Sequence, residues 1–240
     1  FGDDDDANLK FNTTTGLFEA SDLFDAPYVP VRRFLKKGRL FIPSLASGWS
    51  SATAGSGAVA QSAGRLYVHT GTTADSQALL RITHIFGFNS GEAAPEYFDW
   101  RKKLYIAFVV NRWNSDSEAV AYCQIKEANT HGQLAERGLG VAISNLTLSG
   151  ESYGTARGTT GSLSMTDNRP YYIQIVHDPD QQKVEWFVNG TSLGTETTAA
   201  NIPNALGDAL TFWVVSIANG ATGGVDAHLY MSLPLVYQEI

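Results

Sequence analysis

Apolar and polar residues alternate with a period of two along most of this chain, and no sustained helical period replaces it. Tyr171, Ile173 and Ile175 take one face of a run, and Val184, Trp186 and Val188 take one face of the next. That spacing predicts two half-buried strands. Asp178-Pro179-Asp180 supplies the turn between them, and Asn189-Gly190 supplies a pair that tolerates positive φ in a tight hairpin. Residues 65–69 alternate and stop at Thr70-Gly71, and residues 78–86 form a further apolar run followed by Gly87 and Gly91. Residues 104–110 are apolar on both faces, which predicts a central strand covered on each side. Residues 120–125, 139–143, 210–217 and 227–233 complete the series. Short strands punctuated by Gly, Ser, Thr and Asn predict an all-β fold, an antiparallel sandwich.

Two tracts, 44–64 and 149–164, are rich in Gly, Ser, Thr and Ala and are expected to form loops above the sheets. Composition changes near residue 45, dividing the chain into an irregular N-terminal arm (1–43) and a sandwich (44–240). The arm carries an acidic run, Asp3 to Asp6, and a basic cluster of Arg32, Arg33, Lys36, Lys37 and Arg39. Two readings stand side by side: an edge strand protected by charge, or an assembly arm that docks acid against base on a neighbouring subunit. Phe11, Phe18, Phe24 and Tyr28 set the segment apart from a plainly disordered tail.

The formal net charge of −7 argues against a nucleic-acid partner, which calls for clustered positive charge. Cys123 is the single cysteine, so no intrachain disulfide forms, and its apolar surroundings mark it as a core residue. No apolar run reaches the ~20 residues of a membrane-spanning helix, so no membrane insertion is expected.

The aromatic strand ending in Val188-Asn189-Gly190 resembles the concanavalin A-like sandwiches of lectins, glucanases and viral structural proteins. The stretch from Trp49 extends the resemblance: Gly55-Ser56-Gly57, then the strand 65–69, the Thr70-Gly71-Thr72-Thr73 turn and a strand ending in Arg81. This succession looks like the opening of such domains in tailed-phage structural proteins, as do the later apolar strand 104–110 and Ile202-Pro203. The likeness spans roughly residues 49–240. It implies a jelly-roll of the concanavalin A-like type and a non-enzymatic virion or surface protein, located on a virion or outside the cell, with an alginate-type lyase or a free-standing lectin as the alternatives. Charge-segregated arms and long sheet edges both need covering, which predicts self-association, and the resemblance adds other virion proteins and cell-surface glycan as partners.

Glycosidases on this fold display paired carboxylates about 5–9.5 Å apart, as Glu-x-Asp-x-x-Glu on one strand in the laminarinase type, and that form is absent here. Alginate lyases of the same fold resemble this chain in an Arg on an early strand and Gln-Ile-His on a central one. Arg81 and the Gln124-Ile125 pair match, whereas Lys126 replaces the His and no Tyr-x-Lys-x-Gly-x-Tyr strand follows. Arg81 and Gln124 would neutralise a uronate carboxylate during proton abstraction, or they hydrogen-bond loop backbone. No cofactor is expected. The histidines lack zinc spacing, and Asp178 and Asp180 either shape a turn or offer oxygens to calcium. Sugar binding needs only an exposed aromatic with amides nearby. Trp100, Trp113, Asn114 and Tyr153 are the glycan-binding candidates, with core or rim packing as the alternative for the rings.

Overall fold

The computed structural model describes residues 8–12, 17–21, 38–41, 49–62, 65–83, 98–113, 118–128, 130–207 and 211–239. Among these, strand follows strand, and the helical pieces are single 3₁₀ turns at Pro179–Gln181 and Ala199–Asn201. β1 (Asn8–Asn12) and β2 (Leu17–Ser21) form a two-stranded hairpin. β3 (Gly38–Phe41), β4 (Trp49–Ala54), β5 (Ala58–Ser62), β6 (Arg65–His69), β7 (Gln77–Thr83), β8 (Leu104–Trp113) and β9 (Val120–Lys126) follow. Then come β10 (Gly138–Ser144), β11 (Thr147–Tyr153), β12 (Arg157–Ser164), β13 (Arg169–Asp178), β14 (Lys183–Val188) and β15 (Thr191–Glu196). β16 (Phe212–Ala218), β17 (His228–Ser232) and β18 (Leu235–Glu239) end the series.

One sheet has seven strands in the order β12-β11-β10-β9-β16-β7-β4. The other has nine: β15-β14-β13-β8-β17-β6-β5, with β18 beside β8 and β3 beside β18. All pairings are antiparallel. The alternating apolar positions of both sheets meet in one core, where Leu80, Cys123, Val141, Ile173, Trp213, Val215 and Leu229 are buried. Each large side chain buried there contributes ~1.5–3 kcal/mol. Burial also raises the Cys123 thiol far above its usual range, as befits a core residue.

Trp186 ties the two layers together. It is fully buried on β14, and its Nε1–H donates to the Gly140 carbonyl of the opposite sheet at 2.8 Å. A Cβ on Gly150 would lie 2.6 Å from the indole, so only glycine leaves room for the ring. The expected hairpin turn is present: Asn189 and Gly190 both take positive φ, at 49° and 78°. Asp178 caps the other turn, its Oδ1 accepting from the Gln181 N–H at 3.2 Å, while Oδ2 meets Lys103 Nζ at 2.8 Å. Both oxygens of Asp178 are engaged in holding the turn.

Several expectations change. The tracts 44–64 and 149–164 hold strands, β4 with β5 and most of β11 with β12, rather than loops. β4, β5 and β12 are outer strands, whose pairing rests on backbone hydrogen bonds and needs few large side chains. The apolar run at 78–86 is a strand over Gln77–Thr83 within the described residues. β8 is central, as its two-sided apolarity predicts, with β13 on one side and β17 and β18 on the other. A strand beyond 227–233, β18, also joins the sheet. Within 1–43, β3 pairs with β18, so Arg39 lies on a strand of the sandwich sheet. Arg32, Arg33, Lys36 and Lys37 lie outside the described residues.

Candidate functional site

β6, β17 and the far end of β8 lie side by side, with His69, His228 and Trp113 in one register row and Tyr67, Tyr230 and Asn111 in the next. The intervening Leu66, Val68, Leu229, Met231 and Val110 point into the core. The outward positions of three adjacent strands are therefore aromatic or polar. Tyr67 stacks on Tyr230 at 4.7 Å and on His69 at 5.1 Å, and His69 stacks on His228 at 5.3 Å. The Trp113 indole closes the row 4.6 Å from His228 and is 41 % exposed. At the border, Asn111 Nδ2 donates to Asn168 Oδ1 at 3.3 Å.

A hydrogen-bond chain runs beneath the rings. Burial, with Tyr230 and Asp226 nearby, pushes the Tyr67 hydroxyl up to about 12, so it stays protonated and donates to His228 Nδ1. Burial also lowers the His228 imidazole below its ordinary value, against the pull of Asp226. The neutral ring then turns its Nε2–H toward Asp226 Oδ2 at 3.4 Å. His69 Nδ1 meets Asp226 Oδ1 at 2.9 Å, and the Gly71 N–H donates to the same oxygen at 2.6 Å. Burial opposes ionisation of Asp226, but these donors hold its carboxyl below the usual range. The chain fixes the rings as a rigid platform, with the edge-on polar groups partnered among themselves. Among the described residues no group of three His, Cys, Asp or Glu side chains is arranged to hold a metal ion.

Of the glycan-binding candidates, Trp113 lies on this platform and Asn114 falls outside the described residues. Trp100 is a correction: it is fully buried, packs on Phe98 at 4.5 Å, and donates from Nε1 to Glu127 Oε1 at 2.9 Å. No sugar reaches that ring. Tyr153 is half-buried on β11, in the opposite sheet, and does not converge with Trp113. Sequence reasoning missed Tyr67, His69, His228 and Tyr230. Their signal was present, since aromatic rings occupy the positions alternate to the core on both strands, but the pairing of β6 with β17 was not visible.

The lyase pair lies on the outer face of the seven-stranded sheet, where Arg81 and Gln124 flank Val214 in one register row. Arg81 Nε donates to Ser50 Oγ at 2.8 Å. Gln124 is fully buried, and its Nε2 donates to Glu151 Oε2 at 2.6 Å, while Arg157 binds the other oxygen of Glu151. Tyr122 and Lys126 flank Gln124 on β9. Residues 130–137 fold over them, placing His131 against Tyr122 at 5.1 Å and Leu134 over Gly138. Burial lowers the Lys126 ammonium to about 8. The expected role for Gln124 is therefore corrected: a carboxylate from outside does not meet its amide, which is engaged under this cover.

Two stacked antiparallel sheets with this strand order form a concanavalin A-like jelly-roll β-sandwich. Solved structures share that fold. The carbohydrate recognition domain of Emp47p is similar at 12 % identity and TM-score 0.52, over 80 % of this chain and 89 % of that one. An endo-β-1,4-glucuronan lyase from the fungus Trichoderma reesei is similar at 12 % identity and TM-score 0.54, over 84 % and 95 %. A protein of unknown function from Shewanella oneidensis MR-1 is similar at 15 % identity and TM-score 0.54, over 86 % and 87 %. No family model matches the chain, and no curated protein matches its sequence.

Proposed function

We propose that this chain is a non-enzymatic, glycan-binding β-sandwich belonging to an assembled virion or extracellular surface structure. The observation that carries the glycan reading is the exposed Trp113 ring, continuous with His228, Tyr67 and Tyr230 on one sheet face. A sugar lays its apolar C–H face on such a ring, and the exposed Asn168 amide, held beside it by Asn111, suits a hydroxyl group. Binding rather than cleavage is favoured because Gln124 of the lyase pair is buried against Glu151. That a carbohydrate recognition domain shares the fold is compatible with this reading. In a glycan array followed by calorimetry on a hit, Trp113→Ala should weaken binding at least about tenfold, ~1.4 kcal/mol, with Trp113→Phe intermediate. Unaltered affinity in Trp113→Ala, or no glycan bound by the wild type, sinks the proposal.

The acidic and basic clusters of the N-terminal segment support its role as an assembly arm. Because β3 belongs to the sandwich sheet, the informative deletion removes residues 1–37 and keeps β3. The truncated chain should stay folded by circular dichroism and show a reduced assembled mass. An unchanged mass overturns the arm.

A further inference from the structure

Residues 130–137 form neither helix nor strand, yet they close over the outer face of the seven-stranded sheet through a few contacts. One end is fastened by the Glu127 N–H, which donates to the Arg137 carbonyl at 3.0 Å, and by the Arg137–Glu127 ion pair, also at 3.0 Å. Over the sheet, His131 Nδ1 meets Ser216 Oγ at 2.9 Å, and its ring packs edge-on against Tyr122. Arg157 Nη1 donates to Gln133 Oε1 at 2.9 Å, and Leu134 is buried. What lies beneath is poorly suited to burial. Lys126 is 2 % exposed, and among the described residues its ammonium makes one hydrogen bond, to the Gly132 carbonyl at 3.4 Å. Gln124 Oε1 is buried without a hydrogen-bond partner. Keeping such groups from water costs free energy that is recovered once the cover lifts.

We propose that residues 130–137 are a proton-operated cover, closed at neutral pH and lifted when His131 takes up a proton. The neutral imidazole suits Ser216 and Tyr122, whereas an imidazolium sets a second cation beside Lys126. No uncommitted carboxylate under the cover answers that charge. From β9 it faces Tyr122, a phenol that burial keeps protonated. From β16 it faces Ser216, whose register partner on β7 is Leu79, with Arg81 in the next outward row. On β11 both oxygens of Glu151 are bound, by Gln124 and by Arg157 of β12. Glu127 is paired with Arg137, and Glu136 is exposed, where water and salt screen it. His131 itself is only partly buried, so protons reach it with the cover closed. Burial first, and Lys126 second, hold the enclosed imidazole at about 4 against 6.5 ordinarily. The closed form is therefore favoured above about pH 6.5 and loses that advantage as pH falls toward 4, by up to about tenfold in the open-to-closed ratio per pH unit. The cover lies on the sheet opposite the aromatic platform, so the device goes beyond glycan binding and needs no sugar.

The test is hydroxyl-radical footprinting of the full chain at pH 7 and pH 4.5, with side-chain oxidation read by mass spectrometry. Labelling of Leu134 and Tyr122, both buried in the closed form, should rise at least about fivefold at the lower pH, while Trp186 of the core stays protected. His131→Phe keeps a ring against Tyr122 and takes up no proton, so it should stay closed at both pH values. His131→Arg carries its charge throughout and should be open at pH 7. Should His131→Phe fail to fold, His131→Gln carries the same test. Unchanged labelling of Leu134 and Tyr122, an equal rise at Trp186, or a folded uncharged variant that opens as the wild type does overturns the proposal. A folded His131→Arg variant that stays closed at pH 7 overturns it as well.

Discussion

Trp186→Ala should lower the free energy of unfolding by about 4–5 kcal/mol, the upper range for removing a large buried aromatic. The ring lies at full burial between the sheets, and its loss opens a cavity bordered by Gly150 while stranding the Gly140 carbonyl. Urea unfolding separates the two contributions. Trp186→Phe keeps most of the volume and loses the hydrogen bond, so it should cost about 1–3 kcal/mol, the penalty of one buried unpaired acceptor. Gly150→Ala approaches the same contact from the other side and should cost about 1–3 kcal/mol through overpacking. A Trp186→Ala unfolding free energy within about 1 kcal/mol of wild type would mean that the ring does not bridge the layers.

Acidification is the second large effect. Burial lowers the His177 imidazole from 6.5 to about 4, and burial together with Lys126 lowers His131 to about 4. Between those pH values the unfolded chain binds protons that the folded chain refuses. The stability these neutral rings confer is complete above about pH 6.5 and is lost as pH falls toward 4. For His177, fully buried with Nε2 against the Pro203 carbonyl at 2.8 Å, the loss is about 3 kcal/mol. His131 is less enclosed and contributes less. Thermal melts from pH 7 down to pH 4 should show a falling Tm, and His177→Gln should flatten the slope even if it lowers Tm throughout. An unchanged slope in that variant would assign the acid sensitivity elsewhere.

The sandwich was legible because its core strands obey a strict alternation, as in Val184, Trp186 and Val188, which all point inward. The outer strands were not. β4 and β12 are built from Ser, Thr, Ala and Gly in the same proportions as a loop, and only the neighbouring strand decides their state. Trp100 and Trp113 show the same limit at the level of one residue. Both stand between polar neighbours, Asp99 and Arg101 in one case and Arg112 and Asn114 in the other, yet one is sealed by Glu127 and Phe98 and the other looks outward beside His228. The platform escaped notice because its two halves, 67–69 and 228–230, meet only through β17 pairing with β6.

β8 runs from Leu104 to Trp113, and its two ends have different neighbours. The Leu104 end carries β18 and, through it, β3, with the Glu239 N–H donating to the Lys103 carbonyl at 3.0 Å. At ~3.3 Å per residue the strand separates that end from the indole by roughly 30 Å. Residue 38 and residue 239 therefore share one pole of the molecule, and the aromatic platform occupies the other. A pull applied at Gly38 or Glu239 loads the short β3–β18–β8 ladder near Leu104, at the end of β8 farthest from Trp113.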